Sequence, residues 1–250
     1  MSSASNGDGE SISHRMRSAI RKGQEQQVQS LLAAGCNRHG LLHLAAKTKN
    51  NQIQMLRLLL DAGCDKDAAE EDGSTPLSIA VEENKADAVQ LLLDAGCDKE
   101  AKIKHTEGWS KPIYIAALNG HLDVMHILLE AGCGIGKATH DGATPIFGSA
   151  RNGHTDCVEI LLKKGSAEEQ SINYEPAPMA IAAWHGHFGV VEVLLKAGWT
   201  ADICIAMHHA AFLGKAKHGK VARILIEHAV NLKTDALRNT DPIFRLQHAV

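Results

Sequence analysis

Histidines and cysteines are the residues of this chain best able to ligate a metal or attack a substrate; it has 15 and 6 of them in 250 residues. Their spacing argues against both uses. His185 with His187, and His208 with His209, sit one or two residues apart. On a helix such side chains diverge, and no Cys or carboxylate completes a ligand set. Gly134-Ile135-Gly136-Lys137-Ala138-Thr139 has the composition of a phosphate loop but lacks its glycine spacing. Ser149 is not in a nucleophile elbow, and no base is paired with it. Lys215, Lys217, Lys220 and Arg223 cluster in one inserted loop without interleaved aromatics. The expectation is no catalytic residue, no metal, no cofactor and no small-molecule substrate. A net charge of -3 supplies no basic field for nucleic acid or for acidic membranes. No apolar run nears the ~18 residues of a membrane span.

The elements around these residues follow a pattern. Asp141-Gly142 marks a turn. Thr144 can cap a helix with Pro145 at its first position, where the missing N–H costs nothing. Asn152-Gly153 closes that helix. Val158, Leu161 and Leu162 then recur at helical spacing until Gly165. With Thr144 as position 1, glycine falls at position 22 at Gly35, Gly63, Gly96, Gly132, Gly165 and Gly198, in steps of 28, 33, 36, 33 and 33 residues. Pro76, Pro112, Pro145, Pro178 and Pro242 all fall at position 2. Such a period signals stacked helix pairs, each unable to bury its apolar face alone.

Thr75-Pro76-Leu77-Ser78-Ile79-Ala80, Ile113-Tyr114-Ile115-Ala116-Ala117-Leu118-Asn119-Gly120-His121 and Ile181-Ala182-Ala183-Trp184-His185-Gly186-His187 carry a family resemblance, as do Gly63-Cys64-Asp65 and Gly96-Cys97-Asp98. The chain resembles ankyrin-repeat proteins over nearly its whole length. The resemblance implies an all-α ankyrin-repeat solenoid of about seven helix-turn-helix repeats with β-turn fingers plus a terminal helix. No repeat has both the Thr at position 1 and the His at position 4 that hydrogen-bond in that family. A neutral hydrogen bond nets only ~1 kcal/mol. Burying a leucine at position 18 is worth about 1.5–3 kcal/mol, so packing carries the fold.

Residues 1–13 are polar and read as a flexible tail; residues 14–250 form the repeat domain. Repeats start near residues 14, 40, 75, 111, 144, 177 and 205, with a partial repeat from 241. Ser30 and Gln27 replace apolar residues in the first pair, as an N-terminal cap requires. Three extra residues lengthen the finger around Trp109, and about three more fall between Gly214 and Lys220. The seventh pair is expected to end at Ala229, which stands where the other repeats have glycine. Cys36, Cys64, Cys97 and Cys133 share position 23. Layers stacked roughly 8–10 Å apart hold equivalent cysteines beyond the ~7 Å a disulfide spans. They read as small buried residues of a reducing compartment, the cytoplasm or the nucleus.

A helix turns ~100° per residue, so positions 3, 6 and 7 face the second helix and positions 5 and 8 point away. The resemblance implies that this outer side lines a concave groove which, with the finger tips, binds other proteins. Position 8 holds Arg21, Lys47, Glu82, Leu118, Arg151, Trp184 and Phe212. Leu, Arg, Trp and Phe in succession is the composition of an interface hot spot. Trp109 and Tyr174, in two fingers, are placed to flank it. Glu82 and the acidic third finger suit a basic segment or plain solvation. The expected function is non-catalytic binding of a protein partner. The alternative is an adaptor or substrate receptor in a larger assembly such as a ubiquitin ligase.

Overall fold

The computed structural model describes residues 6–101, 103–105, 108–136, 139, 142–165, 177–200, 203–213 and 216–240. Among them are fourteen helices in consecutive pairs: α1 (Asn6–Lys22) with α2 (Glu25–Ala33), α3 (Leu41–Lys47) with α4 (Gln52–Asp61), and α5 (Pro76–Glu82) with α6 (Ala86–Asp94). The series continues with α7 (Pro112–Asn119) and α8 (Leu122–Glu130), α9 (Pro145–Asn152) and α10 (Thr155–Lys163), and α11 (Pro178–His185) and α12 (Phe188–Lys196). The last pair is α13 (Ile203–Leu213) and α14 (Ala216–Thr240). The lengthened finger forms a hairpin, β1 (Ile103–His105) antiparallel to β2 (Gly108–Ser110), with Trp109 opposite Lys104.

The local chemistry of the turns explains the helix ends. Thr144 caps α9, its hydroxyl oxygen accepting from the Phe147 N–H at 3.3 Å with Pro145 at the first helical position. Thr75 and Ser78 form a reciprocal capping box, so serine does locally what the missing histidine would do. All six glycines at position 22 have φ between 74° and 104°, the left-handed region that closes a helix without Cβ strain. After Gly63, Gly96 and Gly132 the next residue donates back to the position-18 carbonyl, Cys64 to Leu59 and Cys133 to Leu128 at 3.0 Å and Cys97 to Leu92 at 3.3 Å. Trp199 makes the same bond to Leu194 at 3.0 Å and is buried, so its larger ring leaves this part of the turn unchanged.

The chain forms two compact units, Met1–Ala116 with His121–Gly142, and Ala117–Gly120 with Ala143–Val250. In the first, α1 packs on α3 and α3 on α5, while α2, α4, α6 and α8 stack in turn. In the second, α9, α11 and α13 form one layer and α10, α12 and α14 the other. Leu31, Leu59, Leu92, Leu128, Leu161, Leu194 and Leu225, all at position 18, are buried in these layers. Each contributes about 1.5–3 kcal/mol of transfer energy.

The ends differ from the sequence expectation. Residues 6–13, assigned to a tail by composition, belong to α1; a polar composition denies a core, not a helix. Helix α14 continues past Ala229 to Thr240. With alanine in place of the closing glycine, no Gly or Pro intervenes before Pro242. Lys220 and Arg223 therefore lie on α14, not in an inserted loop. The partial repeat from residue 241 lies outside the described residues.

Candidate functional site

The histidines after the inter-helix glycines explain how position 8 is held. His121, His154 and His187 precede α8, α10 and α12 as their N-cap residues. Each ring reaches back one repeat. His154 Nε2–H donates to the Leu118 carbonyl at 3.0 Å, and His187 Nε2–H to that of Arg151 at 3.0 Å. His121 does the same to Glu82 at 3.1 Å. A carbonyl only accepts, so each Nε2 carries the proton. Every acceptor is a position-8 residue, so the backbone under that row is tied to the following layer. Asn152 Nδ2 adds a second bond to Leu118 at 2.7 Å.

His218 completes the series, its Nε2–H donating to the Trp184 carbonyl at 2.9 Å. Sequence reasoning passed over it because no glycine precedes it. The signal was present: three residues inserted after Gly214 bring His218 to position 11. The glycines also make room for the rings. A Cβ on Gly120 would lie 2.5 Å from the His154 ring, and one on Gly153 would lie 2.5 Å from the His187 ring.

In the second unit, Trp184 on α11 is 41 % exposed and Phe212 on α13 is 73 % exposed. The Trp184 ring meets His209 edge-on, with centroids 5.0 Å apart and planes at 84°. Phe212 stacks on His208 at 6.3 Å and 22°. His209 Nδ1–H donates to the Ala180 carbonyl at 3.2 Å, which ties α13 to α11. Ile205, on the same helix, is also exposed. Arg151 on α9 is partly exposed. Leu118 differs from the expectation of a surface contact: it is only 6 % exposed, so its side chain is core. In the first unit Glu82 is exposed at the equivalent position. Trp109 sits on β2, its side chain outside the described residues, as is the whole of Tyr174.

Other candidate chemistry resolves into structure. Ser149 Oγ donates to the Pro145 carbonyl of its own helix at 2.9 Å. The Gly134 N–H is taken by the Glu100 carboxylate at 2.9 Å, the opposite of what an incoming phosphate needs. Burial raises the Cys97 thiol to about 12 and those of Cys133 and Cys157 to about 11, so all three stay protonated and unreactive. Among the described residues no group of three or more His, Cys, Asp or Glu is placed to hold a metal ion, and no helix is long and apolar enough to cross a membrane.

A family model described as ankyrin repeats in three copies matches residues 16–103 and again 113–206. No curated protein matches the sequence. Repeats of this kind are generally protein–protein interaction modules.

Proposed function

The chain belongs to the ankyrin-repeat family, and on that premise we propose a non-catalytic scaffold that docks a protein partner on the position-8 row of α9, α11 and α13. The exposure of Trp184 and Phe212 on two helices that carry no Asp, Glu, Lys or Arg supports this reading best. A row serving solubility alone would carry charges, as Arg21, Lys47 and Glu82 do at the equivalent positions of the first unit. Aromatic rings on bonded backbone lose little entropy when a partner binds, because the frame is already ordered. Five buried thiols and one exposed one, Cys204, suit a reducing setting, cytoplasmic or nuclear.

Affinity capture from cell extract with the parent chain, followed by titration of the captured partner, tests the site. Trp184→Ala should weaken binding by over ~1 kcal/mol while the far-ultraviolet helix signal stays unchanged. Equal affinity of parent and mutant removes Trp184 from the interface.

A further inference from the structure

Three fingers of the first unit carry a cation two residues after a buried cysteine: Arg38, Lys66 and Lys99. Each lies over the glycine that closes the next helix pair. The charged nitrogens sit 3.9, 3.6 and 3.5 Å from where a Cβ would stand on Gly63, Gly96 and Gly132. Lys66 and Lys99 are committed to the stack, donating to the Ala95 and Ala131 carbonyls. Arg38 is not: among the described residues its guanidinium makes no hydrogen bond and no ion pair. It borders a cavity of about 290 Å³ instead. That volume is at the small end of the range for ligand pockets.

His43 lines the same cavity and is only 1 % exposed. Its Nε2–H donates to the Ser74 carbonyl at 3.0 Å. In the neutral ring Nδ1 is then a bare acceptor, and it has no partner among the described residues. Thr75 and Thr144 place a hydroxyl beside the fourth residue of their repeats; Gly40, which stands in the same place before His43, has none to offer. Asp65 lines the cavity and accepts the Asp67 N–H with one oxygen, at 3.0 Å. A Glu70 carboxylate oxygen lies 3.8 Å from where a Gly40 Cβ would stand. The surroundings thus offer one unpaired cation and three acceptors. A simple anion would be repelled by Asp65 and Glu70, and a simple cation by Arg38. The occupant that complements the whole set carries both charges on a small body. Leu42 and Ala68 supply apolar wall.

We propose that this cavity binds a small free amino acid as its zwitterion. The carboxylate lies on Arg38, the ammonium among His43 Nδ1, Asp65 and Glu70, and a short apolar side chain against Leu42 and Ala68. A guanidinium fork matches a carboxylate with two parallel hydrogen bonds. An ammonium brings three donors. One of them removes the cost of leaving a buried imidazole nitrogen unpaired. The site uses no residue of the row on α9, α11 and α13, so it stands or falls apart from the docking of a protein partner there.

Thermal midpoints of the full chain, taken with each common amino acid in turn, test it, because a ligand that binds only the folded state raises the midpoint. The largest rise should come from short apolar side chains. Isothermal titration then compares L-alanine with L-lactate, which has a hydroxyl for the ammonium, and with L-alaninamide, which has an amide for the carboxylate. Both analogues should bind about tenfold more weakly or worse, the loss of one charge-assisted hydrogen bond. Arg38→Ala and Asp65→Asn, at two exposed side chains, should each weaken alanine binding by a similar factor, whereas Trp184→Ala should leave it unchanged. Lactate equal to alanine would show that the ammonium is not read, and alaninamide equal to alanine that the carboxylate is not; either overturns the proposal. So does a largest rise from a charged, aromatic or long side chain. Alanine binding indifferent to both Arg38→Ala and Asp65→Asn puts the ligand elsewhere and sinks the site. No saturable response to any amino acid leaves the cavity to water and sinks it as well.

Discussion

Both units tie layers together with imidazole-to-carbonyl bonds, from His43 to Ser74 and from His121 to Glu82 in the first, but the first adds charged ties. In the first, charged side chains reach from finger to finger. Lys66 Nζ donates to the Ala95 carbonyl at 2.9 Å, and Lys99 Nζ to that of Ala131. Asp67 accepts from the Asp98 N–H at 2.7 Å, and Glu100 accepts from the Gly134 N–H while pairing with Lys111 at 2.6 Å. These groups serve the stack: the lysines complement helix C-termini, and the carboxylates take up finger amides. In the second unit imidazole-to-carbonyl bonds from His154, His187, His209 and His218 join the layers, together with the Asn152 amide on the Leu118 carbonyl. Its first-helix row then turns large apolar rings outward. Charge on a repeat surface is thus no sign of a docking site when it is used within the stack, whereas unneutralised exposed apolar area is.

The strongest test of this contrast is a pair of glycine substitutions. Gly153 and Gly35 both have positive φ, at 79° and 78°. Nothing lies within 4 Å of a Cβ on Gly35, but one on Gly153 would run into the His187 ring. Gly35→Ala should cost only the left-handed backbone term, about 1–2 kcal/mol. Gly153→Ala should add the displaced imidazole and its bond, for a total of about 2–4 kcal/mol. Urea midpoints followed by circular dichroism measure the gap. Equal losses would mean that the ring moves aside freely, and the clamp would not be structural.

A smaller effect should separate the clamps themselves. The His187–Arg151 bond is part-buried, whereas the His121–Glu82 bond is exposed to water. His187→Leu leaves a partly desolvated carbonyl without its donor, for a loss of about 1–2 kcal/mol. His121→Leu leaves a carbonyl that water can solvate, for a loss under ~1 kcal/mol. A reversed order would contradict the view that the second unit depends more heavily on imidazole.

These residues also show how far a sequence can be read. The glycine ladder, the Thr144 and Thr75 caps and the buried position-18 leucines were legible because each depends on bonds within a few residues or on strict phase. The second role of the histidines was not, because their acceptors lie 34 to 39 residues back in the chain. Leu118 was misjudged for the same reason: its exposure is decided by the layer beside it, not by its own helix. Trp184 and Phe212 could be singled out by phase, since their helices lack charge all round. The extent of α14 depended on the absence of a stop signal, which carries less information than its presence, whereas α1 runs through Asn6-Gly7-Asp8-Gly9, residues that read as turn formers.

The mildest effect, and the one most specific to the first unit, concerns Glu100. Burial alone would raise its carboxyl, but the bonds from Lys111 and from the Gly134 N–H outweigh burial and hold it below the ordinary value of 4.5. A carboxylate whose folded value is depressed stabilises the fold above its unfolded value, and that contribution is lost as pH falls through the folded one. Glu100→Gln should therefore lower the thermal midpoint at pH 7 by a small margin, since the side chain is 35 % exposed and solvent screens the pair. The difference from parent should persist down to about pH 4.5 and close below it, as the parent carboxylate is itself protonated. Melting both proteins from pH 7 to pH 3 gives the answer. A difference that stays constant across that range would show that the glutamate acts by shape and not by charge. The charged ladder of the first unit would then be as neutral in its working as the imidazole ladder of the second.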